Sequence, residues 1–197
     1  MKHITSGGKG SRRGLTLIEM VMVVVIIGIM AKVALPRINY TRFRADAAGR
    51  LARILLQEAQ RNAITRQSNV IVSFDPVINR FRLVQDYNNN DTINTADLVT
   101  YRNMAEGAVF AKPAWVGAVG ADGTTPAASI NGAGLRTVSG LTTIIFRRDG
   151  SASTNLTLFV TMRVNVPTEY REVMCTASTG RCDLYKFNGS AWIRMTQ

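Results

Sequence analysis

Gly14-Leu15-Thr16-Leu17-Ile18-Glu19 opens an apolar run that continues Met20-Val21-Met22-Val23-Val24-Val25-Ile26-Ile27-Gly28-Ile29-Met30-Ala31. From Leu15 to Leu35 the only charged residues are Glu19 and Lys32, one near each end. A helix of that length reaches roughly 30 Å, the thickness of a bilayer's hydrocarbon core. The basic residues Lys2, Lys9, Arg12 and Arg13 precede it, which predicts a cytoplasmic N-terminus. A secretory signal carries a small-residue cleavage site after its apolar core. Here the small residue, Gly14, stands before the core, so cleavage between Gly14 and Leu15 would remove the basic leader and keep the helix. Glu19 is the anomaly, because a carboxylate in a membrane helix is costly unless it is functional or partnered.

Gly14 to Glu19 resembles the processing site of type IV prepilins and type II secretion pseudopilins. The resemblance implies cleavage after Gly14 by a prepilin peptidase and N-methylation of Leu15, where most members of that superfamily carry phenylalanine. It implies that Glu19 neutralises the N-terminal amine of a neighbouring subunit in a filament, a pairing that spares an isolated charge in an apolar core. Pro36 matches the proline that bends the helix of many pilins.

Outward from this stretch, Phe43, Ala47, Leu51, Ile54, Leu55, Ala59, Ala63 and Ile64 recur at spacings of three and four. They predict an amphipathic continuation of the helix to about Arg66, on the order of 78 Å from Leu15. Arginines 37, 42, 44, 50, 53, 61 and 66 surround that stripe. Such a face serves as a solvated surface, a filament contact or a nucleic-acid contact.

From Asn69 the period becomes two. Val70–Phe74 and Arg80–Val84 read as a hairpin, followed by strands at Leu98–Tyr101 and Val109–Ala111. Residues 117–140, rich in Gly, Ala, Thr and Ser, read as an exposed loop. A second strand group spans Thr142–Arg147, Leu156–Val164, Arg171–Thr176, Cys182–Phe187 and Ala191–Met195. Asp149-Gly150, Thr179-Gly180 and Asn188-Gly189 supply its turns. One long helix followed only by strands is an α+β plan, with the helix packed on an antiparallel sheet.

Ile144-Ile145-Phe146-Arg147-Arg148-Asp149-Gly150-Ser151 and Ser178-Thr179-Gly180-Arg181 are similar to elements of the GspH/FimT branch, the H-type pseudopilins and related minor pilins. Some members of that branch bind DNA through a C-terminal Gly-Arg-x-Arg element. Gly180 and Arg181 match it, whereas Asp183 stands at the second arginine's place. Phosphate contact needs cations.

Asp86, Asn88, Asn90, Thr92, Asn94 and Asp97 space oxygen ligands across twelve residues, with Ile93 at the eighth place. The pattern resembles the calcium loop of EF-hands and dockerins. Asp91 replaces the usual turn glycine, and Asp97 replaces the longer closing glutamate. The other reading is an Asn/Asp-rich hairpin connection.

The chain of 197 residues carries a formal charge of +11, with four basic residues in the leader. Its two cysteines, Cys175 and Cys182, are placed to form a disulfide in an exported domain. The single histidine, His3, lies in the leader, which excludes a His-based triad and a four-ligand zinc site. No phosphate-binding glycine loop is present, and no enzyme activity is expected. The expected layout is a leader at 1–14, a transmembrane and filament-core helix at 15–35, its amphipathic half at 36–66, and a β-rich head at 67–197. The expected protein is a minor pilin or pseudopilin, single-pass in the inner membrane with its head in the periplasm or outside the cell. Its expected partners are prepilin peptidase, other pilins, the assembly platform and lipid, with calcium as the candidate cofactor. DNA capture by an uptake pilus is the alternative, and a membrane-anchored sensing head without leader cleavage is a third class.

Overall fold

The structure is a computed structural model that describes residues 14–34, 40–115 and 117–196. It divides into two compact units, Met1–Asn39 and Tyr40–Gln197. The leader up to Arg13, Leu35 and Pro36 lie outside the described residues.

In the first unit, helix α1 runs Leu17–Ala34 over 18 residues. Thr16 starts it. Its carbonyl accepts from the N–H groups of Glu19 (3.1 Å) and Met20 (3.3 Å), and its hydroxyl accepts from the Glu19 N–H at 3.3 Å. That satisfies first-turn donors that the helix itself cannot bond. Every residue from Gly14 to Lys32 is exposed. At 1.5 Å per residue α1 is about 27 Å long. Among the described residues no helix is long and apolar enough to cross a membrane.

In the second unit, helix α2 runs Tyr40–Arg66. It buries Ala45, Ala48, Gly49, Ala52, Leu55, Leu56, Ala59 and Ala63. This corrects the expected stripe: Phe43, Ile54 and Ile64 are exposed, and so is Ala47. The reason is steric. A Cβ on Gly49 would sit 2.9 Å from both the Arg171 Cβ and the Leu184 Cδ1, so the helix lies close against the sheet and only a face of small residues fits there.

Eleven strands follow: β1 Asn69–Asp75, β2 Arg80–Asp86, β3 Leu98–Asn103, β4 Val109–Phe110, β5 Ile130–Asn131, β6 Arg136–Val138, β7 Leu141–Phe146, β8 Leu156–Thr161, β9 Arg171–Cys175, β10 Cys182–Phe187 and β11 Trp192–Arg194. They form two antiparallel sheets where one was expected. The first has the order β3-β2-β1-β7-β6, and the second β11-β10-β9-β8-β4, with β5 also pairing β8. The expected loop at 117–140 therefore contains β5 and β6. Their registers, Ile130 opposite Leu158 and Arg136 opposite Thr143, borrow partners from longer strands. The strand expected to reach Val164 ends at Thr161.

Both sheets and α2 share one core. Leu55 and Leu56 belong to one buried cluster with Val72, Phe74 and Phe146 of the first sheet and Leu158, Val173 and Leu184 of the second. Phe74, Phe81 and Phe110 pack edge to face at 5.3–6.2 Å between ring centroids. Each such ring stabilises the fold by about 1.5–3 kcal/mol through burial.

Candidate functional site

At the N-terminal site, Gly14 has open space where a side chain would project, and Leu15 is exposed. The bond expected to be cut is thus presented freely, one residue before the Thr16 cap. The cap itself was overlooked in the sequence, although Thr16-Leu17-Ile18-Glu19 carries the Thr-x-x-Glu spacing of a capping box. Glu19 therefore stands in the first turn of α1, where a carboxylate faces the positive end of the helix dipole.

The two turns that suggested the GspH/FimT branch meet at one side chain. The Gln60 amide of α2 donates to the Gly150 carbonyl at 2.7 Å and to the Thr179 carbonyl at 2.6 Å. Gly150 and Gly180 both have positive φ, 87° and 61°. A Cβ on Gly180 would run into the Gly150 carbonyl. Glycine is required at 180 by backbone approach as much as by backbone angle. Cys175 and Cys182 flank this turn, lie opposite each other on β9 and β10, and form the expected disulfide.

Successive residues of β9 point to opposite faces of the second sheet. Arg171 points to α2 and is 3% exposed. Its guanidinium donates to Asp46 at 2.6 Å and to the carbonyls of Thr168 (2.9 Å) and Tyr170 (2.7 Å). Glu172 points away and is fully buried. Its Oε2 accepts from the Ala121 N–H at 2.7 Å, while Oε1 has no partner. Burial, and after it the charge of Asp122, pushes the carboxyl up to about 7 against the Ala121 hydrogen bond. Glu169 is also buried. There Arg163 spans both carboxylate oxygens and holds the group below the usual carboxylate range. The segment over Glu172 is fastened by the Trp192 indole N–H donating to the Val119 carbonyl at 2.7 Å, and by Trp115 stacked on Phe187 at 4.9 Å.

Arg181 is exposed at the end of the Gly180 turn. Its Nε lies 3.3 Å from Asp183 Oδ1, which Arg194 also contacts at 2.6 Å. The acid at the second arginine's place is thus shared by two guanidinium groups.

The 86–97 segment connects β2 to β3, and its side chains bond to its own backbone. Asp86 is buried and accepts from the N–H groups of Asn90 (3.3 Å) and Asp91 (2.8 Å). Asn88 accepts from Asn90, Asn90 from Thr92, and Asn94 from Ala96. Asp97 accepts from Tyr87 and Asn94. Asp91 takes the left-handed backbone expected of the missing glycine, φ 59°. Its carboxylate faces Arg136 at 3.3 Å and Arg147 at 3.7 Å. Ile93 packs on Ile71, Val84 and Ile145, so the loop covers the outer face of the first sheet. Among the described residues no group of three or more His, Cys, Asp or Glu side chains is placed to hold a metal ion.

Residues 9–31 match the family described as the prokaryotic N-terminal methylation motif. The resemblance of Gly14–Glu19 to prepilins and pseudopilins is thereby borne out: the chain carries a prepilin-type N-terminus. Among solved structures the chain is similar to the minor pseudopilin EpsH from the type 2 secretion system of Vibrio cholerae. That likeness has 12% sequence identity and a TM-score of 0.47, and covers 73% of this chain and 97% of that one. No curated protein sequence matches the chain significantly.

Proposed function

We infer that this chain is a minor pilin or pseudopilin: a structural subunit cut between Gly14 and Leu15 by a prepilin peptidase, methylated on Leu15, and built into a type IV pilus or a type II secretion pseudopilus. The observation that carries this reading is the methylation motif at residues 9–31, running directly into a helix whose apolar side chains are exposed on all sides. A helix that is hydrophobic all round requires burial by partners or lipid. On this reading the helix is held in the inner membrane with its N-terminus cytoplasmic and the head outside, and passes from there into a filament with the help of an assembly platform. Glu19 then pairs with the new amine of a neighbouring subunit, since a lone charge among those side chains would be costly.

DNA capture is the competing reading. It would rest on Arg181, whose guanidinium already faces Asp183, so assembly is preferred.

The test is co-expression with a prepilin peptidase and mass measurement of the intact chain. Native protein should lose residues 1–14 and gain one methyl group at Leu15. Gly14→Val should retain the leader. A native chain that keeps its leader, or a variant that loses it normally, overturns the reading.

A further inference from the structure

Arg50, Arg53 and Ile54 share one face of α2, spaced as helical neighbours. Opposite them Leu184, Met195 and Thr196 complete a cavity of about 290 Å³. A second cavity, about 320 Å³, shares Arg53, Met195 and Thr196 and adds Arg181, Asp183 and Arg194. The two form one groove between α2 and the end of β11. Its floor is apolar: Ile54 is 56% exposed, whereas Leu184 is buried beneath it. Its rim carries four arginines against one aspartate. Asp183 occupies Arg181 and Arg194, while Arg50 and Arg53 have no ion-pair partner among the described residues.

We propose that this groove binds an extended acidic segment of a partner polypeptide, with one apolar side chain on the Ile54–Met195 floor and carboxylates on the arginines. Three features select that occupant. Guanidinium forks match carboxylates in paired hydrogen bonds. The exposed aliphatic floor takes an apolar side chain, and methionine adapts to its shape. β11 is the outermost strand of its sheet, so an extended peptide finds an unpaired strand edge beside the groove. Single-stranded nucleic acid fits less well, because no aromatic side chain lines either cavity and base stacking needs one; a duplex would leave the apolar floor unfilled, since its phosphates engage only the arginines. The proposal does not depend on leader processing or on filament assembly.

Fluorescence anisotropy on the full chain in detergent tests it. The probe is a short labelled peptide with glutamate at alternate places and one central leucine. Binding should weaken as salt rises. Arg50→Glu and Arg53→Glu should each weaken it roughly tenfold, about the loss of one charge-assisted contact. Arg53→Lys should fall between native and Arg53→Glu. Arg102→Glu, on β3 away from the groove, should leave binding unchanged. Replacing the peptide's leucine with serine should also weaken it. All the substituted arginines are on the surface, and melting curves matching the native chain would show that the variants are folded. Absence of binding at low salt would overturn the proposal, as would equal binding of the serine peptide. Tighter binding of labelled duplex DNA, lost in the same two charge reversals, would make the groove a phosphate site instead.

Discussion

The two helices differ in how apolar they are, and the more apolar one is the one that stays unburied within the subunit. α1 is a run of Val, Ile and Met with no preferred side, and from Leu17 to Lys32 all of it is exposed. α2 is poorer in large apolar residues and buries a face made mainly of alanine. The difference is clearest at one glycine in each helix. A side chain on Gly28 of α1 would meet nothing within 4 Å, whereas one on Gly49 of α2 would meet Arg171 and Leu184 at 2.9 Å. Hydrophobicity alone does not say which helix packs within the subunit. Side-chain size does, because a helix held tightly against a sheet needs small residues at the contact.

Three experiments would break or sharpen that contrast. The largest effect is expected at Arg171, whose pairing with Asp46 joins β9 to α2. Arg171→Ala strands Asp46 and several carbonyls, and urea unfolding should show a loss of about 3–5 kcal/mol. A loss below 1 kcal/mol would mean that the alanine face alone holds the helix.

The far side of the same strand gives the next effect. Glu172 has its folded-state pKa raised from 4.5 to about 7. Its stability contribution is therefore complete below pH 4.5, where both states hold the proton. It is lost as pH rises through 7, because the unfolded chain ionises first. The full loss is roughly 3 kcal/mol. Glu172→Gln should remove this slope, so denaturant midpoints measured from pH 4 to pH 8 should diverge from native progressively, in the variant's favour. Parallel curves would show that Glu172 is ionised in the folded protein.

The smallest effect is the direct comparison of the glycines. Gly49→Ala should lower the melting temperature through a loss of about 1–3 kcal/mol by overpacking. Gly28→Ala should leave head unfolding unchanged. Equal effects would remove the distinction between the helices.

How far these features could be read in advance follows from how local each one is. The methylation motif is contiguous, and Gly14, Leu15 and Glu19 stand in it at fixed spacing. The C-terminal end of α2, β1 to within one residue at each end, and β10 were readable because period and turn residues agree there. The packed face of α2 was misread, since large residues such as Phe43 and Ile54 were weighted above Ala45, Ala48 and Gly49. β5 and β6 escaped because strands of two or three residues exist only by pairing with β8 and β7. The oxygen-rich loop was readable as a pattern, but its engagement with its own N–H groups depends on the local fold. The arginine groove could not have been seen, because Arg53 and Arg194 lie far apart in the chain and meet only once β11 closes beside α2.

Gln60 holds the Gly150 and Thr179 carbonyls from the side of α2, and Arg171 grips Asp46 further towards the start of that helix. A pull along the helix axis therefore reaches the sheets through these lateral contacts at the same time as it drags the alanine face across them. They resist together in shear and do not open one after another. Under such a pull α2 would act as a shaft, with the Gly150 and Gly180 turns as its collar.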